Sequence, residues 1–261
     1  MRFSKWHALG NAYLVVERDD LGGPLDGDGA QRLCDVRYGL GADGVLEVCS
    51  VDGATAEIVI WNPDGSTAEL SGNGTRIAAS WLARRTGLDE VRIVVGAREV
   101  TARMLDSMQV ETAVGTVEVE EMETIDVLDE RIELTSVSVG NPHAVVRRDY
   151  TRDDLLALGP AIERHPRFPE RTNVQLVRVE GLNELTIAVW ERGAGETTAS
   201  GSSAVAAAAA AIANGWCESP VLVHMPGGDL VVSIDEENSA TLVGPAEEIA
   251  SGELAIAVTR S

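Results

Sequence analysis

Lysine is almost missing from this chain of 261 residues: Lys5 is the only one, and the other Lys/Arg positions are all arginine. A Schiff-base mechanism of the pyridoxal phosphate kind needs a lysine amine. Lys5 sits in an alternating run beside the N-terminus, so that chemistry is excluded. The three cysteines, Cys34, Cys49 and Cys217, are odd in number and widely spaced, which is no basis for a disulfide framework. Neither they nor the four scattered histidines fall into a paired-ligand spacing, so no metal site is expected. The longest apolar run, Ala204 to Ala213, is too short and too alanine-rich to span a bilayer. Residues 1–20 carry charges where a signal peptide needs an apolar core. Positive charge is outnumbered, 21 Lys and Arg against 42 Asp and Glu, for a net charge of -21. A surface that acidic repels phosphate backbones and anionic lipid, which argues against nucleic-acid and membrane partners. These absences predict a cytoplasmic protein that acts on a small molecule without a cofactor. The acidic excess, with arginine in place of lysine, also fits a solvated surface suited to high salt, in which case the melting temperature rises with added KCl.

What is present is a repeat. Ile58-Val59-Ile60-Trp61 is matched by Ile187-Ala188-Val189-Trp190, and ten residues after each tryptophan comes a Ser-Gly pair, Ser71-Gly72 and Ser200-Gly201. Each pair opens an alanine-rich helical stretch that ends in glycine, at Thr86-Gly87 and Asn214-Gly215, followed by an apolar strand (Val91 to Val95, Val221 to His224). Upstream, Gly10-Asn11 pairs with Gly140-Asn141, and Val45-Leu46-Glu47-Val48 with Val174-Gln175-Leu176-Val177, at nearly the same offset. The pattern predicts two similar halves, 1–117 and 118–261. Period-2 alternation predicts strands over Tyr13 to Glu17, Ile58 to Trp61 and Val110 to Val119. Helices are expected over Asp28 to Val36, with Asp28 as N-cap, and over Thr75 to Arg85, Arg152 to Leu158 and Ser202 to Asn214.

The chemistry is expected where each central helix begins. Asp64 to Thr75 and Gly193 to Ser202 are glycine-rich segments leading into helices. Free N–H groups at a helix N-terminus, with the dipole behind them, form an anion site. Two such termini could grip a carboxylate from both sides and set Ser71 and Ser200 on opposite faces of it, as two-base proton transfer requires. Taken singly, each serine is an ordinary N-cap; the duplicated spacing is what singles the pair out.

The segments Phe3 to Asn11, Gly39 to Val45, Asn62 to Ser66, Ser71-Gly72-Asn73-Gly74-Thr75-Arg76, Gly140-Asn141-Pro142-His143 and Glu191 to Thr197 resemble the diaminopimelate epimerase family, in that family's order and over nearly the whole chain. The resemblance implies an α+β fold of two pseudosymmetric domains, each a mixed or antiparallel β-barrel-like sheet around a central α-helix, with the active site in the cleft between them. It implies cofactor-independent epimerisation at an α-carbon in a homodimer. Carried over by position, Ser71 and Ser200 stand as the two bases, with His143 and Glu191 assisting them. Asn11, Asn62, Asn173, Glu191 and Arg192 contact substrate. Asn62, Asn173 and Arg192 match the positions that hold its distal end, where a guanidinium can fork onto a carboxylate. Gly72, Asn73, Gly201 and Ser202 supply N–H groups to the reacting carboxylate, and Asn141 orients the His143 loop.

The sequence departs from the family where it matters most, because both base positions are cysteine in the family and serine here. A thiol of pKa about 8.5 falls to roughly 3.5–7.5 at a helix N-terminus, whereas an alcohol does not reach that range. Ala12 also replaces an acidic residue, and Asp43 stands where a neutral amide can occur. Three functions fit these residues. One is diaminopimelate epimerisation, with each serine working through His143 or Glu191. Another is a different proton transfer on another amino acid or small carboxylate: racemisation, isomerisation or dehydration. The third is ligand binding without catalysis.

Overall fold

The computed structural model describes residues 1–69 and 71–255, and they form two compact units. The first comprises Met1–Thr112 with residues 244–255, the second Ala113–Val243.

In the first unit, strands Arg2–Ala8 and Asn11–Glu17 form a hairpin, turned by Leu9 and Gly10, both at positive φ. Asn11–Glu17 runs parallel to Gly44–Asp52, which pairs antiparallel with Thr55–Trp61. The chain then passes through a helix and returns as Glu90–Val95, parallel to Thr55–Trp61, before two further antiparallel steps through Arg98–Met104 to Gln109–Thr116. The strand Glu247–Glu253 closes against Arg2–Ala8. Three helices belong to this unit: α1 (Arg18–Leu21), α2 (Gly27–Cys34) and α3 (Gly72–Thr86).

The second unit repeats this pairing step for step. Glu130–Ser138 is antiparallel to Pro142–Arg147, which is parallel to Asn173–Gly181 and thence antiparallel to Glu184–Glu191. A helix leads to Val221–Met225, parallel to Glu184–Glu191, and two antiparallel steps follow through Gly228–Ile234 to Ser239–Pro245. Its helices are α4 (Arg152–Glu163) and α5 (Gly201–Ala213).

In each unit one helix is enclosed and another lies over the sheet. Ala204 through Ala211 of α5 are all at most 3% exposed, and α3 buries residues on every face, from Asn73 to Ser80 and at Leu82 and Ala83. A helix apolar all round belongs inside. Alanine suits that place because it has the highest helix propensity and lets strands approach closely. The outer helices are amphipathic: Ala30 and Leu33 of α2 pack on Leu14, Val16 and Val45, and Leu155, Leu158 and Ile162 of α4 pack on Ala144, Val146, Val174 and Leu176.

Two local expectations are corrected. Asp26, not Asp28, caps α2, its carboxylate accepting from Gly29 N at 2.7 Å. Both acids precede a glycine, and the helix begins two residues earlier than the apolar pattern indicates. The strand expected over Val110 to Val119 is broken at Val117, whose N–H bonds Asn238 O instead of continuing the ladder. No helix among the described residues is long and apolar enough to cross a membrane.

Candidate active site

Ser71 is the N-cap of α3, in extended conformation, its Oγ accepting from Gly74 N at 3.0 Å. The Tyr13 hydroxyl lies 3.1 Å from the same Oγ. Tyr13 reaches that position because its partner in the parallel ladder is Gly44, where any β-carbon would collide with the Tyr13 ring. Asn73, in the first turn, donates its amide to Asn11 Oδ1 at 3.2 Å and accepts from Arg76 Nη2 at 2.6 Å. The Gly72 carbonyl accepts from Thr75 Oγ1 and Arg76 Nη1. Asn62, at the end of its strand, turns its amide to Ser66 Oγ at 2.9 Å. Asp43, one of the family departures, accepts from Ala12 N, the other, at 2.8 Å.

In the second unit Ser200 is again the N-cap residue, but its side chain bonds no helix N–H. Its hydroxyl instead lies beside the Glu191 carboxylate, close enough to act on the pKa of that acid. Burial raises the pKa of Glu191, and the neighbouring Ser200 hydroxyl opposes that only in part. This acid is therefore a better proton acceptor than an ordinary carboxylate. Gly201 is buried and Ser202 is half-buried in the first turn of α5.

His143 is 1% exposed. Gln175 Nε2 donates to its Nδ1 at 3.0 Å, which places the ring proton on Nε2, where it is donated to Asn141 Oδ1 at 3.0 Å. Burial pushes its pKa down to about 3, and the Arg192 charge adds to the depression, so the ring is neutral at working pH. Among the described residues no hydrogen bond joins His143 to Ser200 or Glu191.

Asn173 spends its amide within the protein, donating to Pro142 O at 2.9 Å and accepting from Arg192 N at 3.0 Å. It thereby fixes the backbone of the Glu191-Arg192 turn. The Arg192 guanidinium is exposed, and among the described residues its one hydrogen bond is to the Glu170 carbonyl, at 3.3 Å. The structure thus brings together Asn11 with Asn73, Asn141 with His143, Asn173 with Arg192, and Ser200 with Glu191.

Four further residues bear on these groups without having been singled out in the sequence: Tyr13, Gln175, Arg76 and Glu163. Glu163, 2% exposed at the end of α4, accepts from Trp190 Nε1 at 2.8 Å and Gly193 N at 3.0 Å. It holds the Glu191-Arg192 turn at both ends. Burial pushes its pKa up, but these bonds and the Arg164 and Arg171 charges outweigh that and leave it below the ordinary carboxylate value. Helix α4 approaches so closely there that a β-carbon at Gly159 would overlap the Trp190 ring. In the first unit Glu47, 1% exposed, takes Trp61 Nε1 at 3.0 Å in the same manner. The paired tryptophans of the repeat were the visible signal for this, their carboxylates the hidden part. No group of three or more His, Cys, Asp or Glu side chains among the described residues is arranged to hold a metal ion.

The fold is shared with several solved structures. A predicted epimerase from Pseudomonas aeruginosa superposes with a TM-score of 0.72 at 18% identity, covering 98% of this chain and 99% of that one. A hydroxyproline epimerase from Agrobacterium vitis, with bound trans-4-hydroxy-L-proline, gives 0.67 at 15% identity, covering 97% and 90%. At that identity the likeness shows the fold alone. Sequence relatives go further. The diaminopimelate epimerase of Desulfitobacterium hafniense is 35% identical over 97% of this chain and 98% of its own length. Diaminopimelate epimerase 2 of Nostoc is 37% identical over 97% and 95%. The family model for diaminopimelate epimerase matches residues 3–123 and 135–249, which takes in every residue of both helix-terminal clusters. The chain therefore belongs to the diaminopimelate epimerase family of isomerases.

Proposed function

We propose that this chain interconverts LL- and meso-diaminopimelate without a cofactor, by removing the α-proton from one face and returning one to the other. The observation that carries the proposal is the Ser200–Glu191 pair at the start of α5. A lone serine is too weak a base for an α-proton. Coupled to a carboxylate with a raised pKa, it can take the α-proton on Oγ while its own proton passes to Glu191. Those transfers run backward only when the reaction starts from the other epimer. Inversion needs a proton donor for the opposite face, and Ser71 is that donor: its Oγ–H protonates the carbanion, the Tyr13 hydroxyl 3.1 Å away passes its proton to Ser71 Oγ, and exchange with solvent resets Tyr13 and Glu191. N–H groups of Gly72, Asn73, Gly201 and Ser202, each at a helix N-terminus, suit the α-carboxylate, whose charge grows as the carbanion forms. Arg192, exposed and close enough to His143 to depress its pKa, is the residue for the distal carboxylate. His143, neutral and tied to Asn141 and Gln175, serves to hold that loop rather than to exchange protons. We place the reaction in the cytoplasm and in a homodimer; sedimentation of the purified protein tests the dimer directly.

One observation favours a second reading, the same proton transfer on a different amino acid. Asn62 and Asn173, two of the three distal-end positions, already spend their amides on Ser66, Pro142 and Arg192. Proton NMR in D2O separates the two. Loss of the α-proton signal of LL-diaminopimelate, with growth of the meso isomer, supports the first. Faster exchange of another amino acid in a panel replaces it with the second. Ligand binding that raises the melting temperature without any exchange leaves only a binding protein.

A further inference from the structure

Arg76 carries a charge that the fold does not require. It lies in the second turn of α3, 0% exposed. Its Nη2 donates to Asn73 Oδ1 at 2.6 Å and its Nη1 to Gly72 O at 3.4 Å, while Nε has no hydrogen-bond partner. Among the described residues no carboxylate pairs with it, and burial alone pulls its pKa down to about 10, so the guanidinium stays charged at neutral pH. An isolated buried charge is costly and persists where it serves something. The repeat supplies an internal control. Arg76 is five residues beyond Ser71, and five beyond Ser200 stands Val205, also 0% exposed. The same place in the twin helix is satisfied by an aliphatic side chain.

The direction of the hydrogen bonds shows what the charge can do. A guanidinium has only donors, so the Asn73 side chain must turn its oxygen toward Arg76. Its amide N–H then points to Asn11 and is accepted by Asn11 Oδ1 at 3.2 Å. Among the described residues, the NH2 of Asn11 is left without a hydrogen-bond acceptor. Without Arg76, nothing among the described residues prevents both amides from flipping, and Asn11 would then offer an oxygen in place of a donor.

We propose that Arg76 is a positioning residue: it fixes the polarity of the Asn73–Asn11 pair so that Asn11 presents N–H, and adds an unbalanced positive charge behind the N-terminus of α3, making that terminus a site for an anionic carboxylate. The identity of that carboxylate rests on the function proposed above. The polarity of the pair does not.

The test uses the full-length protein and its R76M and R76K variants. Three quantities are read: the melting temperature, the side-chain amide signals of Asn11 and Asn73 in a 15N–1H NMR spectrum (assigned by their loss in N11A and N73A), and α-proton exchange of LL-diaminopimelate. In R76M the melting temperature is expected to hold or rise, the amide signals of both asparagines to move, and kcat/KM to fall by about 10²-fold, the scale of a misplaced contact group. In R76K, which keeps the charge but not the fork, part of the rate is expected to return. Unmoved amide signals in R76M overturn the proposal. So does a rate loss that merely follows the unfolded fraction, or an R76K enzyme with the full wild-type rate. If the wild type exchanges no diaminopimelate, the functional reading fails by itself, and the amide signals still decide the role of Arg76. Should R76M not fold, the R76K spectrum decides it.

Discussion

Ser71 and Ser200 occupy the same place in the repeat and have different surroundings. The first hydroxyl accepts from the helix it caps and meets Tyr13; the second bonds no helix N–H and meets a carboxylate. The difference can be followed residue by residue. After the paired tryptophans, Trp61 is followed by Asn62 and Trp190 by Glu191. Two residues beyond the paired asparagines, Asn11 leads to Tyr13 and Asn141 to His143. Five beyond the serines stand Arg76 and Val205. One half therefore holds a buried cation and a phenol, the other a carboxylate with a raised pKa. A duplicated scaffold has kept its backbone pairing and diverged in the few side chains that exchange or orient protons.

The largest effect expected is from E191Q. Loss of the acceptor behind Ser200 should lower exchange by roughly 10²–10⁴-fold, the range for a positioned acid–base group. Glu191 must be ionised to act as the base, and burial raises its pKa. The wild-type rate should therefore rise with pH along a limb above the ordinary carboxylate range, and that limb should vanish in E191Q. A pH–rate profile of both proteins checks this, and an unchanged limb would remove Glu191 from the reaction.

The two tryptophan–carboxylate contacts sharpen the comparison next. In E163Q one of two donors, Trp190 Nε1 or Gly193 N, faces an NH2 group instead of an oxygen. In E47Q the donors Arg18, Leu25 N and Trp61 meet the same conflict. Each should cost about 1.5–3 kcal/mol of stability, measurable by urea denaturation. Only E163Q should also raise KM, since only that carboxylate grips the turn bearing Glu191 and Arg192. The smallest effect is expected from Y13F, which deletes one hydrogen bond to Ser71, worth about 1 kcal/mol or roughly five-fold in rate. If Y13F proves as damaging as E191Q, the two halves are more alike than their residues suggest.

Much of this was legible in the sequence because the repeat acts through the backbone. Glycine-rich entry into a helix, tryptophan at a strand end and Ser-Gly ten residues later describe main-chain geometry, and the strand pairings of the two units follow it step for step. Missing from that reading were contacts made across parallel strands and between distant elements. Tyr13 meets Ser71 only because Gly44 leaves room beside it, and Gln175 meets His143 from the neighbouring strand. Glu163 reaches Trp190 from the far end of α4. Arg76 lay within a segment that carries the family resemblance, yet as letters it looks like any helical arginine. Its meaning comes from burial without a counter-charge.

The central claim is that two serines, unlike in their surroundings, serve opposite faces of one α-carbon. Solvent deuterium exchange into LL- and meso-diaminopimelate, followed by NMR for the wild type, S71A and S200A, tests it most directly. Complementary losses are predicted, with S71A blocking exchange that starts from one epimer and S200A blocking exchange that starts from the other. Wild-type exchange of both epimers in either variant would contradict it.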